Sequence, residues 1–303
     1  MPDPSTGLNG APSASPAARA GRAALRYFRL VRLAHTVFAL PFALAGLALA
    51  SQETPFRWHV LFWVLVAMVA ARSAAMGFNR IVDHRYDALN PRTSGRELPR
   101  ELISIPAAWV FVVACSALFF AAAWALNPLC GWLSPLALAV LFFYSLTKRF
   151  TWTSQFFLGL SLAIAPVGAW MALTGGFDWR AAALAAAVLL WVAGFDIFYA
   201  CLDFDFDREH GLHSVPMRWG LRGAILIARA LHAAAAVLIV GLHWLFPLGA
   251  VYLAGAAVVV AVLALEDFMV RHDDLSRAVA AFNLNGAVSI LFFLAILAGI
   301  LWR

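Results

Sequence analysis

The sequence predicts an all-α bundle of about nine helices that spans a membrane. The first observation is composition: 63% of residues are hydrophobic and 13% are charged, where a soluble domain carries about 25% charged residues. The second is segmentation, because apolar runs of the length needed to cross a bilayer recur along the chain. The third is charge placement, because the basic residues collect in alternate gaps between those runs.

Residues 1–21 are rich in Pro, Ser, Ala and Gly and lack apolar periodicity. They are expected to form a disordered tail ahead of one membrane domain at 22–303. Residues 22–51 have a basic start, an apolar stretch and small residues from Ala48 to Ser51, as a secretory signal does. Many further spans follow, so the segment is expected to be retained as span one. The predicted span cores are 33–51, 58–78, 106–126, 129–146, 156–174, 181–202, 223–243, 246–264 and 281–301.

The net charge of +6 is nearly all arginine, since Lys148 is the only lysine. One set of gaps holds Arg19, Arg22, Arg26, Arg29, Arg32, Arg80, Arg85, Arg92, Arg96, Arg100, Lys148, Arg149, Arg208, Arg218, Arg222, Arg229, Arg271 and Arg277. The other set holds only Arg57, Arg180 and Arg303. The positive-inside rule then places the amino terminus in the cytoplasm and the carboxyl terminus outside. Basic residues flanking apolar spans point to a lipid bilayer partner, not to nucleic acid. Cys115, Cys130 and Cys201 lie in or beside apolar runs and read as small hydrophobes without a disulfide or zinc pattern.

Two acidic ladders interrupt this greasy chain, both on the cytoplasmic side. The first is Asn79, Asp83 and Asp87. The second is Asp203 and Asp207, with Asp196 and Tyr199 upstream. Steps of four stack side chains on one helical face, whereas Asp205 points off that face. Phe204 and Phe206 are expected to pack or to touch lipid. Acids at membrane-embedded helices are costly and mark functional sites. Two such faces could hold Mg2+ against a diphosphate, because that ion takes carboxylates together with phosphate oxygens. Asp83 and Asp87 precede Asp203 and Asp207 by the same 120 residues. Each ladder runs into a polar loop, 90–94 and 210–214, and the pair reads as a pseudo-repeat over one cavity. Arg72 lies seven residues before Asn79 on nearly the same face, where it could grip a diphosphate or a carboxylate, or pair with Asp196. His35 either binds substrate or is simply hydrogen-bonded within its helix. His213 and Ser214 could help close a loop over substrate.

The pattern Asn-x-x-x-Asp-x-x-x-Asp with Asn-Pro-Arg-Thr behind it, followed later by Asp-x-x-Tyr-x-x-x-Asp-x-x-x-Asp, resembles the UbiA superfamily of intramembrane prenyltransferases. The likeness runs from about residue 26 to 302. The segments Arg32–Pro41, Tyr144–Arg149 and Gly211–Pro216 resemble the bacterial 4-hydroxybenzoate polyprenyltransferase-like branch. The resemblance implies that Asn79, Asp83, Asp87, Asp203 and Asp207 hold magnesium-diphosphate. It also implies that Lys148 and Arg149 form a basic pair near the diphosphate or the acceptor's carboxylate. A polyprenyl diphosphate would alkylate a ring carbon of 4-hydroxybenzoate or a carboxylated dihydroxynaphthoate, for ubiquinone or menaquinone, at the bacterial inner membrane. Aromatic side chains could line a tunnel for the isoprenoid and steady the cation, although most are expected to face lipid. Haem, chlorophyllide or homogentisate are alternative acceptors. A cation- or proton-coupled transporter is the alternative from another class, but its ionisable groups should reach both mouths. Outside, this chain offers only Glu53 and Asp178.

Overall fold

The computed structural model describes residues 25–28, 30, 31 and 33–303, and the expected tail at 1–21 lies outside them. Among the described residues the chain is helical, with no β-strand and one isolated bridge between Arg271 and Asp274. The helices are α1 (Leu33–Ala50), α2 (Trp58–Leu89), α3 (Ile105–Leu126), α4 (Pro128–Thr147) and α5 (Ser154–Thr174). They continue with α6 (Trp179–Ala200), a 3-10 turn (Cys201–Asp203), α7 (Phe204–Glu209), α8 (Val215–Leu245), α9 (Ala250–Met269) and α10 (Ala278–Leu301). Eight segments are long and apolar enough to cross a bilayer, and α1 adds a shorter apolar stretch at Ala39–Ala50. This is a multi-pass membrane protein.

Local chemistry starts several of these helices. Ser104, Asn127 and Ser214 accept the N–H of Ala107, Cys130 and Met217 respectively, and each of these caps is followed by proline in the first turn. Asp178 caps α6 through the N–H of Arg180 and also pairs with the Arg180 guanidinium at 2.7 Å. That hydrogen bond holds its carboxyl below the usual carboxylate range. Gly220, at φ +68°, kinks α8 in a conformation that other residues rarely adopt.

Two boundaries differ from the sequence expectation. The second predicted span core ends at residue 78, whereas the helix continues unbroken as far as Leu89. At about 1.5 Å per residue α2 is about 48 Å long, against about 30 Å of hydrocarbon, so its last turns leave the membrane core. Those turns carry the first ladder. The second ladder does not ride one continuous helix, because the 3-10 turn at Cys201–Asp203 breaks it. Tighter winding there shifts the angular position of Asp203 and Asp207 relative to Asp196.

Packing is helix on helix. Close pairs include α2 with α3, α5 with α6, α6 with α8 and α9 with α10, and α10 returns to α1. Gly159 brings α5 onto α6, where any Cβ would lie 2.4 Å from the Leu189 carbonyl oxygen. Trp191 of α6 is fully buried, edge-on to Phe42 of α1 at 5.2 Å and to Phe292 of α10 at 6.0 Å. This aromatic contact ties the first, middle and last long helices together.

Candidate active site

The ends of α2 and α6 converge on one polar pocket of about 200 Å³. Its wall includes Asn79, Asp83 and Asp87 from α2, and Asp196, Tyr199, Asp203 and Asp207 from α6 and the segment behind it. Lys148, His213 and Ser214 also line it. The two ladders therefore meet. Asp205 is exposed and off the wall, on the side expected for it. Phe206, which the sequence expects to pack or to touch lipid, packs by stacking on His210 at 4.0 Å and in addition lines the pocket. The broken helix turns it inward.

Each ladder is met by cations. Asp83 receives Asn79 Nδ2, Lys148 Nζ and Arg149 Nη2, each at 3.1 Å. Asp87 is paired with Arg96 at 2.6 Å. Asp203 is ion-paired with Arg92 and accepts from Asn90 Nδ2 at 3.4 Å. Arg92 also lies over the Tyr199 ring, 4.7 Å from its centroid. Two local hydrogen bonds shape the 90–96 loop so that Arg92 and Arg96 reach the acids. Asn90 Oδ1 accepts the Arg92 N–H at 2.9 Å, and Thr93 Oγ1 donates to the Asp87 carbonyl at 3.1 Å. On the opposite side the His213 N–H donates to the Lys148 carbonyl at 2.7 Å, strapping the 210–214 loop to the end of α4. Ser214 Oγ reaches Asp207 Oδ2 at 3.4 Å.

Behind the polar pocket lies an apolar cavity of about 780 Å³, walled mainly by α2, α4 and α5 with α3, α6 and α10. Asn79, Arg80, Arg96, Tyr144, Ser145, Asp196 and Tyr199 line both spaces, so the cavity opens from the charged mouth. Met68, Leu126, Leu133, Leu141 and Leu158 line its greasy part. Phe119, Tyr144, Phe195, Tyr199 and Phe282 are its aromatic members. Many tryptophans, among them Trp58, Trp132 and Trp244, are exposed on the outside of the bundle.

Arg72 lines the apolar cavity and not the polar pocket, and its Nε is buried without a hydrogen-bond partner. No salt bridge joins it to Asp196 among the described residues, so the internal ion pair weighed for it is not formed. Arg149 is not on the pocket wall, because its guanidinium spans Asp83 Oδ1 and the Val82 carbonyl, the latter at 2.9 Å. The His35 side chain lies outside the described residues.

Arg96, Tyr86, Tyr144 and Gln155 line the pocket beside the residues that the sequence predicts for it. Arg96 had a signal: it lies four residues beyond Arg92, in the loop that the first ladder enters. Gln155 had none, because its role is local. Its Oε1 accepts the Val215 N–H at 3.2 Å and anchors the start of α8.

Among the described residues no three acidic, histidine or cysteine groups surround one point closely enough to hold an ion unaided. A magnesium ion does not need them, since it keeps waters and takes substrate oxygens beside one or two carboxylates. The donor set fits that habit. Asp87 Oδ2 is buried without a partner, and a hard cation is a natural counterpart for such an oxygen.

Comparison with known proteins gives this arrangement a family. The profile of the UbiA prenyltransferase family matches residues 39–299. The chain belongs to the UbiA prenyltransferase family. A 4-hydroxybenzoate octaprenyltransferase from Vibrio vulnificus (strain CMCP6) is 28% identical over 273 residues, covering 89% of this chain and 95% of that protein. One from Pseudomonas aeruginosa (strain LESB58) is 29% identical over 286 residues, covering 93% and 96%. The apo structure of a UbiA homolog from Aeropyrum pernix K1 is 37% identical, with TM-score 0.81 over 88% of this chain and 98% of that one. A UbiA homolog from Archaeoglobus fulgidus bound to GPP and Mg2+ shares the fold, with TM-score 0.72 and 20% identity, over 91% of this chain and 99% of that one. The UbiA family match and the helical bundle agree with the sequence expectation of fold and class, and the protein is a prenyltransferase.

Proposed function

We propose that this UbiA-family protein transfers a polyprenyl group from its diphosphate to a ring carbon of 4-hydroxybenzoate. One observation carries the reading: a mouth of carboxylates and cations opens into an apolar cavity of about 780 Å³. A polyprenyl diphosphate has the same division, a charged head on a greasy chain. The curated relatives named as 4-hydroxybenzoate octaprenyltransferases support this acceptor. The dihydroxynaphthoate route has no comparable support.

Asn79, Asp83 and Asp87 would hold Mg2+ on one side of the diphosphate, and Asp203 and Asp207 on the other. Bound magnesium supplies charge that neutralises the leaving diphosphate. Lys148, Arg92 and Arg96, which pair with the acids of the pocket, would exchange those partners for phosphate oxygens of the substrate. The C1–O bond breaks, its electron pair leaves with diphosphate, and an allylic cation remains at the boundary between pocket and cavity. Tyr199, already under the Arg92 guanidinium, offers a ring face to that cation. The ring carbon of the acceptor attacks, and the ring proton then leaves. Asp196 is the carboxylate that lines both spaces among the described residues, and it takes that proton. The apolar cavity excludes water, which would otherwise quench the cation.

Arg72, in the apolar cavity with an unpartnered Nε, is the group we assign to the acceptor's carboxylate. Arg149 holds Asp83 in place from behind. His213 and Ser214 belong to the loop over the mouth. Residues 22–303 form the catalytic membrane domain, with the mouth toward the cytoplasm of a bacterial inner membrane.

The test is direct. Purified protein in detergent or nanodiscs, given a polyprenyl diphosphate and 4-hydroxybenzoate with Mg2+, should release diphosphate and form a carbon-prenylated ring. Diphosphate release independent of the aromatic, or prenylation of a naphthoate alone, would overturn the assignment of acceptor.

A further inference from the structure

Away from the site, a buried polar chain crosses three helices. Asn285 of α10 is 1% exposed. Its Oδ1 accepts the Trp191 indole N–H at 2.6 Å, and its Nδ2 donates to Glu266 Oε1 of α9 at 2.9 Å. Glu266 is fully buried. Asn285 does not itself line the cavity, but its neighbours Phe282, Asn283 and Gly286 do. On the facing helix, Phe195, Asp196 and Tyr199 follow Trp191 by one to two turns and line the cavity too. The two sets touch: Phe282 lies edge-on to Phe195 at 5.5 Å and against Tyr199 at 4.6 Å.

Apolar surfaces in a bilayer slide and rotate against each other at little cost, because lipid is as apolar as the helix faces. A hydrogen bond between side chains specifies register, and a buried amide left unpaired is penalised in any other register. Asn285 makes two such bonds, one to the helix of Asp196 and Tyr199 and one to α9. It therefore sets how far Phe282 projects toward Tyr199 and Asp196. That distance decides whether the cation meets a closed aromatic wall or a gap that admits water.

We propose that Asn285, held between Trp191 and Glu266, is a positioning residue that keeps Phe282 against Tyr199 and so directs the allylic cation to the aromatic acceptor instead of to water. This rests on the prenyl-transfer reading above. The competing outcome balances simply: water adds to the cation, a proton is lost, and the prenyl alcohol forms alongside diphosphate.

The experiment measures both products from polyprenyl diphosphate and 4-hydroxybenzoate. Asn285→Ala removes both bonds and should raise the ratio of prenyl alcohol to prenylated ring at least about tenfold. The Michaelis constant for prenyl diphosphate should stay within about twofold, since the charged mouth is untouched. Trp191→Phe keeps an aromatic ring against Phe42 and Phe292 but removes the N–H, and it should reproduce the change even if Asn285→Ala fails to fold. Both products falling together at an unchanged ratio would overturn the proposal and leave Asn285 a structural clamp only. Wild-type protein that makes no prenylated ring would instead refute the transfer reading itself.

Discussion

Arg96 closes on Asp87 with Nη1 2.6 Å from one carboxylate oxygen, while the other oxygen is buried without a partner. The pair is half-satisfied. A buried carboxylate oxygen without a hydrogen bond costs about 1–3 kcal/mol. Binding of a cation at that oxygen relieves the cost. On the proposed reading Asp87 would serve both as anchor of Arg96 and as a ligand of the metal. Changing Asp83, Asp87, Asp203 or Asp207 to Ala is expected to lower turnover at least about a hundredfold, since each removes charge that balances the leaving group. Asp205→Ala should be far milder, because its side chain is exposed and off the pocket wall. Initial rates across a magnesium titration check both. Equal damage at 203 and 205 would refute the assignment of faces.

The depth of the apolar cavity yields a second expectation. Ala137 lines it eleven residues, about three helical turns, ahead of Lys148 on α4. Ala137→Phe should fill space that a long isoprenoid needs and a short one does not. The ratio kcat/KM for a long polyprenyl diphosphate should fall about tenfold, within the range seen when pocket volume changes. The value for a C5 or C10 diphosphate should hold. A uniform loss for all chain lengths would mean that the chain follows another route.

Much of this site could be read from the sequence because its signals are local. Four-residue steps place Asn79, Asp83 and Asp87 on one face whatever the rest of the chain does. The membrane spans follow from the solvent, since only long apolar helices satisfy their backbone in lipid. What escaped was tertiary. The 3-10 turn at Cys201–Asp203 replaces the expected single stripe and turns Phe206 inward. Arg149 faces a carbonyl and Asp83, not the pocket, a choice made by the α2–α4 contact and invisible in spacing. The Trp191–Asn285–Glu266 chain joins residues far apart in sequence, a contact that no local spacing indicates.

Orientation is a third expectation. Eighteen basic residues fall in the gaps on the side of the ladders and three in the others. If α1 crosses as well as the eight longer apolar segments, the number of crossings is odd. A reporter fused after Arg303 should therefore report the external side, and one placed in the 90–104 loop the cytoplasm. The same side for both would mean that one helix does not cross.

The two arginines that compete for the acceptor's carboxylate can be separated by kinetics. Arg149 bridges Asp83 and the Val82 carbonyl with one guanidinium and lies 5.6 Å from the Tyr86 ring centroid. A lysine keeps the charge but cannot make that planar bridge. Since Arg149 is off the wall, Arg149→Lys should act through Asp83. It should raise the magnesium requirement and the Michaelis constant for prenyl diphosphate, and leave that for 4-hydroxybenzoate unchanged. Arg72 faces the apolar cavity beyond the charged mouth, where a carboxylate would be its only strong partner. Arg72→Lys should weaken 4-hydroxybenzoate by about 1–3 kcal/mol, the scale of a charged hydrogen bond, with prenyl diphosphate unaffected. Steady-state kinetics with each substrate varied in turn decide the matter. An acceptor-selective effect at Arg149 with none at Arg72 would exchange the two roles and place the aromatic ring nearer the mouth than the cavity geometry suggests.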